Sequence, residues 1–118
     1  MEEMALVYTT WPDAQTAEAA ARQAIAQHLA ACANILGPMH SIFRWDGGVH
    51  TQDEVAMILK TRMSLSDPLR DALVALHPYE TPCIVLMPIN RIGSNTAFLA
   101  WIEEETTPTA SVTWPTTV

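Results

Sequence analysis

The segment HPYETPC places a histidine, a tyrosine, a glutamate and a cysteine within seven residues, His77 to Cys83. Imidazole nitrogen and thiolate sulfur both bind copper and zinc, and thiolate suits Cu(I) in particular. A bend at the two prolines of this segment brings its ends together, so we predict a copper or other divalent-cation site at Cys83 and His77. Closed metal sites usually need three or four protein ligands. The alternative is structural: His77 hydrogen-bonds a carbonyl and Cys83 begins a buried strand.

A second set of side chains at strand ends and corners predicts a cleft between subunits for a small ligand. Trp45 and Tyr79 offer flat apolar surfaces with a polar tip, and Arg44 and Lys60 offer positive charge for an anion. The predicted lining consists of Arg44, Trp45, Glu54, Lys60, Tyr79 and Glu80. The alternative is a hydrogen-bond network that only joins subunits, since buried polar groups need partners whatever the function.

General acid–base catalysis uses the same residue types as His77, Tyr79 and Glu80. No nucleophile-elbow or phosphate-loop motif accompanies them in the sequence. Tyr79 and Glu80 are adjacent, and neighbouring residues of an extended segment point to opposite faces. The sequence therefore predicts that the protein is not an enzyme.

Composition excludes several other classes of protein. Six Lys and Arg stand against thirteen Asp and Glu, a net charge of −7, whereas nucleic-acid binding depends on a basic surface. The apolar runs are far shorter than the ~20 residues that cross a bilayer, and the acidic start MEEMALVYTT lacks the features of a secretory signal. We therefore expect a cytoplasmic protein that binds neither nucleic acid nor membrane. Two cysteines without a CxxC motif do not predict a disulfide scaffold.

Alternating strands and helices must position these side chains. Strands are predicted at 5–10, 33–45, 49–61 and 83–87. Helices are predicted after the N-cap Asp13 and from Ser66 to near His77. A last helix, capped by Ser94 or Asn95, is predicted to carry Phe98, Trp101 and Ile102 on one face. This order predicts an α+β fold of the ferredoxin-like, split βαβ type, an antiparallel sheet with two helices on one face. The opposite face is predicted to be bare and partly apolar, which indicates a homo-oligomer.

Trp45-Asp46-Gly47-Gly48 is a hairpin turn signal, because glycine accepts positive φ. With Asp46-Gly47-Gly48 as the loop, Arg44 pairs with His50, and His40 lies near Glu54. The two histidines are then about 13 Å apart along the sheet. They are predicted to be solvated hairpin residues and not joint ligands of one ion.

Five stretches in one order together resemble the CutA family of divalent-cation tolerance proteins. They are TWPDAQTAEAAARQAIAQHLAACANI, SIFRWDGGV, EVAMILKT, HPYETP and NTAFLAWIEEET. The resemblance covers residues 5–106 and implies a ferredoxin-like subunit in a homotrimer, associated with copper and other divalent cations and with no established reaction. We therefore expect one domain over 1–106. Residues 107–118, rich in Thr and Pro, are expected to be a C-terminal tail.

The sequence departs from the family's suggested metal ligands at three places. It has Thr9-Thr10 where bacterial members linked to metal binding can carry a cysteine, and Cys83 where a glutamate is common. It has Leu76 where a second histidine can precede the HPY motif. The first hypothesis is a homotrimer that binds or responds to copper. One alternative is a signalling trimer like the PII proteins, with a small anionic ligand between subunits. The other is a structural trimer that binds a protein partner through its tail.

Overall fold

The computed structural model describes residues 2–107, which form four strands and three α-helices. In chain order these are β1 Met4–Trp11, α1 Ala14–Ala26, β2 Cys32–Trp45, β3 Gly48–Arg62, α2 Ser66–Leu76, β4 Ile84–Pro88 and α3 Thr96–Glu105. The strands lie in the order β2-β3-β1-β4, and every neighbouring pair is antiparallel. The predicted ferredoxin-like α+β fold is confirmed. The predicted tail, apart from Thr107, lies outside the described residues.

Local signals in the sequence account for where the helices begin and end. The Asp13 carboxylate accepts a hydrogen bond of 2.7 Å from the Thr16 backbone N–H at the start of α1. Asn95 caps α3 in the same way through the Ala97 N–H. Helix α2 ends before His77, whose extended backbone (φ −83°, ψ 136°) fits a residue that precedes proline. Each boundary therefore follows from a residue type that was visible in the sequence.

The β2–β3 hairpin has a shorter turn than the sequence analysis predicted. Asp46 and Gly47 alone form it, with φ of 49° and 77°, as in the two-residue Asp-Gly turns whose twist matches the flanking strands. The register consequently pairs Arg44 with Val49, Phe43 with His50 and His40 with Asp53. The predicted pairing of Arg44 with His50 is wrong by one residue, and so is the placement of His40 near Glu54.

One face of the sheet packs against α1 and α2 and holds the main core. Alternate residues of the two central strands supply it, among them Val7, Trp11, Met57 and Leu59. Small side chains let α1 lie close to the sheet, since its buried residues are Ala17, Ala20, Ala21 and Ala24. This arrangement fixes the end of β1, where Trp11 is fully buried, and that end carries the candidate site.

The opposite side of the sheet is here called the open face. The sequence predicts that it is bare, but part of it is covered. Helix α3 covers one end of it, where Met4 packs with Leu99 and Ile102. The rest leaves apolar side chains exposed, including Leu36 at 50% and Val85 at 52%. An exposed apolar surface of this kind indicates contact with another molecule.

Helix α3 carries Phe98, Trp101 and Ile102 as predicted, but of these three only Ile102 is buried. Leu99 and Ile102 are the buried residues, whereas Phe98 and Trp101 remain partly exposed. Burial of Leu99 follows from its spacing of three residues from Ile102, which puts both on one side of the helix. The Lys60 ammonium lies 5.6 Å from the centre of the exposed Phe98 ring and donates a hydrogen bond to the Asn34 side-chain oxygen.

Candidate functional site

The corner between α2 and β4 is built around His77, which is 8% exposed. Its ring stacks on Trp11 with 4.1 Å between centroids. Its Nε2 lies 2.7 Å from the Thr10 carbonyl oxygen, and its Nδ1 accepts the Tyr79 backbone N–H at 3.1 Å. A carbonyl only accepts and an N–H only donates, so the ring proton lies on Nε2. Both ring nitrogens are therefore engaged within the subunit.

This arrangement bears directly on the predicted metal site. A metal ion binds the lone pair of a neutral imidazole nitrogen, and the lone pair of His77 already accepts the Tyr79 N–H. Within residues 2–107, no group of three or more His, Cys, Asp and Glu side chains is placed to hold a metal ion. The His77 and Cys83 pair is thus not a complete site in one subunit. The structural alternative for His77, a hydrogen bond to a carbonyl, is the arrangement found.

Tyr79 connects this corner to the long hairpin. Its hydroxyl donates to Glu54 Oε2 at 3.0 Å and accepts from Gln52 Nε2 at 2.5 Å. Glu54 is only 9% exposed. Sequence reasoning named Tyr79 and Glu54 but missed Gln52. Its position two residues before Glu54 could have predicted its place in the site, because residues two apart on a strand share one face.

A cleft of about 630 Å³ opens beside this network. It brings together four of the six predicted residues, Trp45, Glu54, Tyr79 and Glu80, with Cys83 in the same wall. Seven residues that the sequence analysis did not assign to the cleft complete the lining: Thr10, Ser41, Phe43, His50, Thr51, Gln52 and Thr81. Most of these lie on strands β2 and β3, at positions that only the hairpin register could have revealed.

Arg44 and Lys60 are not part of this lining in the single subunit, and their predicted place in a cleft between subunits stays a prediction. Arg44 lies between Phe43 and Trp45 on β2, so its side chain points to the other face of the hairpin. Lys60 lies against Phe98, at the α3 end of the open face. The positive charge expected for an anionic ligand is therefore absent from the cleft formed by residues 2–107.

The environment of Tyr79 changes its acidity. Burial, together with the hydrogen bond to Glu54 and the negative charge of that carboxylate, raises the pKa of Tyr79 from 10.0 to about 12. The phenol therefore stays protonated at neutral pH. It acts as a fixed hydrogen-bond donor to Glu54.

We predict that phenolate absorbance will show one tyrosine ionising near pH 12 and that Tyr79→Phe will abolish this step. Because the folded pKa is raised, the stabilisation from protonated Tyr79 is fully present below pH 10 and lost as the pH rises through about 12. Tyr8→Phe is the matched control and should retain the late step. A late step that persists in Tyr79→Phe contradicts the assignment.

The architecture and the site together define an α+β protein of ferredoxin-like topology, with a cleft beside the corner between α2 and β4. The model of the CutA1 divalent ion tolerance protein family matches residues 5–105. The chain belongs to this family.

Named relatives agree with this assignment. The divalent-cation tolerance protein CutA of Archaeoglobus fulgidus is 42% identical over 98 residues, which are 83% of this chain and 93% of that protein. The chloroplastic CutA 1 of Oryza sativa is 37% identical over 86% of this chain and 56% of its own length. The crystal structure of CutA1 from Ehrlichia chaffeensis superposes with a TM-score of 0.85 at 31% identity, covering 92% of this chain and 99% of that one.

Location is described differently among the relatives. The solved Archaeoglobus fulgidus protein, with a TM-score of 0.84 at 39% identity over 88% of this chain and 99% of its own, is described as periplasmic. In the part of the chain that the structure describes, no helix is long and apolar enough to span a membrane. The cytoplasmic location expected from the sequence remains a prediction.

Proposed function

We propose that this chain acts in divalent-cation tolerance as a homotrimer and that the cleft beside Tyr79 is its ligand-binding site. The observation that carries the proposal is the cleft of about 630 Å³, into which the buried Glu54 and its partner Tyr79 project from different elements. Ligand sites commonly combine such a volume with a few convergent polar groups. The proposal assigns binding and no chemical reaction.

The open face supports the homotrimer. Leu36, Val85 and Met87 expose 50%, 52% and 40% of their surfaces on that face, and covering apolar surface of this kind is the main favourable term in association. The number of three subunits comes from the resemblance to the CutA family. Sedimentation of the wild-type protein as three chains is the corresponding expected result.

Copper is one candidate ligand of this cleft. Its support is the Cys83 thiol, which lies in the wall of the same cleft and has the donor chemistry that Cu(I) prefers. Both ring nitrogens of His77 form hydrogen bonds, so Cys83 is the one of the two predicted metal ligands that is available to bind copper. Further donors then come from outside the single subunit. Neither Arg44 nor Lys60 lines the cleft of the single subunit. The lining therefore offers no positively charged side chain of these two to favour an anionic ligand.

We predict that equilibrium dialysis of the reduced protein against Cu(I), Cu(II) and Zn(II) will show stoichiometric binding, strongest for Cu(I), and that Cys83→Ser will abolish it. The reason is that replacing the sulfur with a hydroxyl removes the soft donor. Cys32→Ser is the matched control, because Cys32 is also a half-buried free thiol but lies outside the cleft. Equal binding by wild type and Cys83→Ser contradicts the copper role.

A further inference from the structure

We propose that the cleft takes a small organic cation, an amine or guanidinium group carried on a flat apolar body. The inference rests on the proposed function insofar as it takes the cleft to be a ligand site. It goes further by naming the chemical class of the ligand. Charge, an accessible carboxylate oxygen without a protein hydrogen bond, and aromatic surface support it independently.

The first support is the sign of the charge around the cleft. Glu54 and Glu80 both line it, and no Lys or Arg of residues 2–107 does. The whole chain carries a net charge of −7, so its field attracts cations from solution and repels anions. A positively charged ligand therefore gains both at long range and inside the cleft.

The second support is the hydrogen bonding of Glu54. This side chain is nine-tenths buried, at 9% exposure, and its Oε2 accepts the Tyr79 hydroxyl. Its Oε1 accepts no hydrogen bond from the side chains or backbone of residues 2–107 and is accessible rather than buried. An ionised carboxylate oxygen has lone pairs that accept hydrogen bonds. An ammonium or guanidinium donor can occupy this acceptor with a charge-assisted hydrogen bond.

The third support is the aromatic wall. Phe43 and Trp45 lie two residues apart on β2 and so project from the same face. Trp45 is 61% exposed, an unusual degree of exposure for so large an apolar side chain. Aromatic faces attract cations, and tryptophan does so most strongly. A cation with a flat apolar body can pack against these two rings, whereas a bare metal ion has no apolar surface to do so.

The volume argues in the same direction. About 630 Å³ is the size of sites that hold organic molecules, roughly 300–1,000 Å³. A single metal ion instead needs three or four ligands close together, and the described part of the chain offers no such group. The size of the cleft therefore fits an organic cation.

The test compares three probes of nearly the same shape: phenethylamine (a cation), phenethyl alcohol (neutral) and phenylpropionate (an anion). Each is titrated into the ¹⁵N-labelled full-length protein while the Trp45 indole N–H resonance is followed. We expect the amine to bind at least tenfold more tightly than the alcohol, because only the amine forms a charge-assisted hydrogen bond. The acid should show no saturable shift.

Glu54→Gln should weaken amine binding at least tenfold, because it removes the charge and keeps the side-chain shape. Glu80→Gln, at an exposed position of the same lining, is the second variant if Glu54→Gln does not fold, and it should also weaken amine binding. The matched control is Arg44→Gln, a neighbour of Trp45 outside the lining. Its affinity for the amine should equal that of the wild type.

Two results would overturn the inference: equal or tighter binding of phenylpropionate, or unchanged amine binding in both Glu54→Gln and Glu80→Gln. Sedimentation of the same preparation separates this failure from that of the proposed function. If the protein is a trimer and binds the anion in the cleft, the proposed function stands and the inference of a cationic ligand is contradicted. If the chain neither assembles nor binds copper or any of the three probes, both the proposed function and the inference of a cationic ligand are contradicted.

Discussion

Val85→Glu is expected to convert the proposed homotrimer into monomers. Val85 lies on the open face of β4, paired with Tyr8 of β1, and is 52% exposed in the isolated subunit. If another copy covers this face, the substitution places an unpaired carboxylate in each interface. Burying an isolated charge costs several kcal/mol after relaxation, and threefold symmetry repeats that cost in every interface.

Sedimentation velocity at one fixed protein concentration measures this effect, since assembly depends on concentration. Ile92→Glu is the matched control, because Ile92 is 88% exposed in the loop before α3. It introduces the same charge away from the open face and should leave the trimer intact. Circular dichroism should show that the Val85→Glu monomer keeps its fold. If Val85→Glu still sediments as a trimer, the open face is not the interface.

Much of the fold could be predicted because its signals are local. Asp13 and Asn95 have side chains that accept the free N–H groups of a helix start. Pro78 restrains the residue before it and so ends α2. The position of α3 on the open face could not be predicted in this way. It depends on packing of Met4 with Leu99 and Ile102, which only the assembled sheet brings together.

The candidate site shows why residue types alone were not sufficient. Tyr79 and Glu54 line the cleft of the single subunit, whereas Arg44 does not, because a strand residue and its neighbour point to opposite faces. The turn length decides which partner each hairpin residue faces, and an error of one residue exchanges the two faces. The Asp-Gly-Gly sequence does not show whether two or three residues form the turn. The two-residue turn at Asp46 and Gly47 determines how β2 pairs with β3.

His77→Ala is expected to lower the free energy of unfolding by about 2–4 kcal/mol. The substitution removes a buried ring that stacks on Trp11 and a hydrogen bond of 2.7 Å to the Thr10 carbonyl. It also leaves the Tyr79 backbone N–H without its acceptor. Urea denaturation at a fixed protein concentration measures the change, because the stability of an oligomer depends on concentration.

A histidine on the surface of the same chain provides the control. His40 lies on the exposed hairpin beside Asp53, so His40→Ala should change the stability by about 0.5 kcal/mol or less. His77→Gln should recover part of the loss, since its amide can again donate toward Thr10. The same variants distinguish the two roles of this residue. A structural His77 gives a large loss of stability, whereas a metal ligand gives little loss of stability but abolishes copper binding. The two hydrogen bonds and the stacking on Trp11 favour the structural outcome.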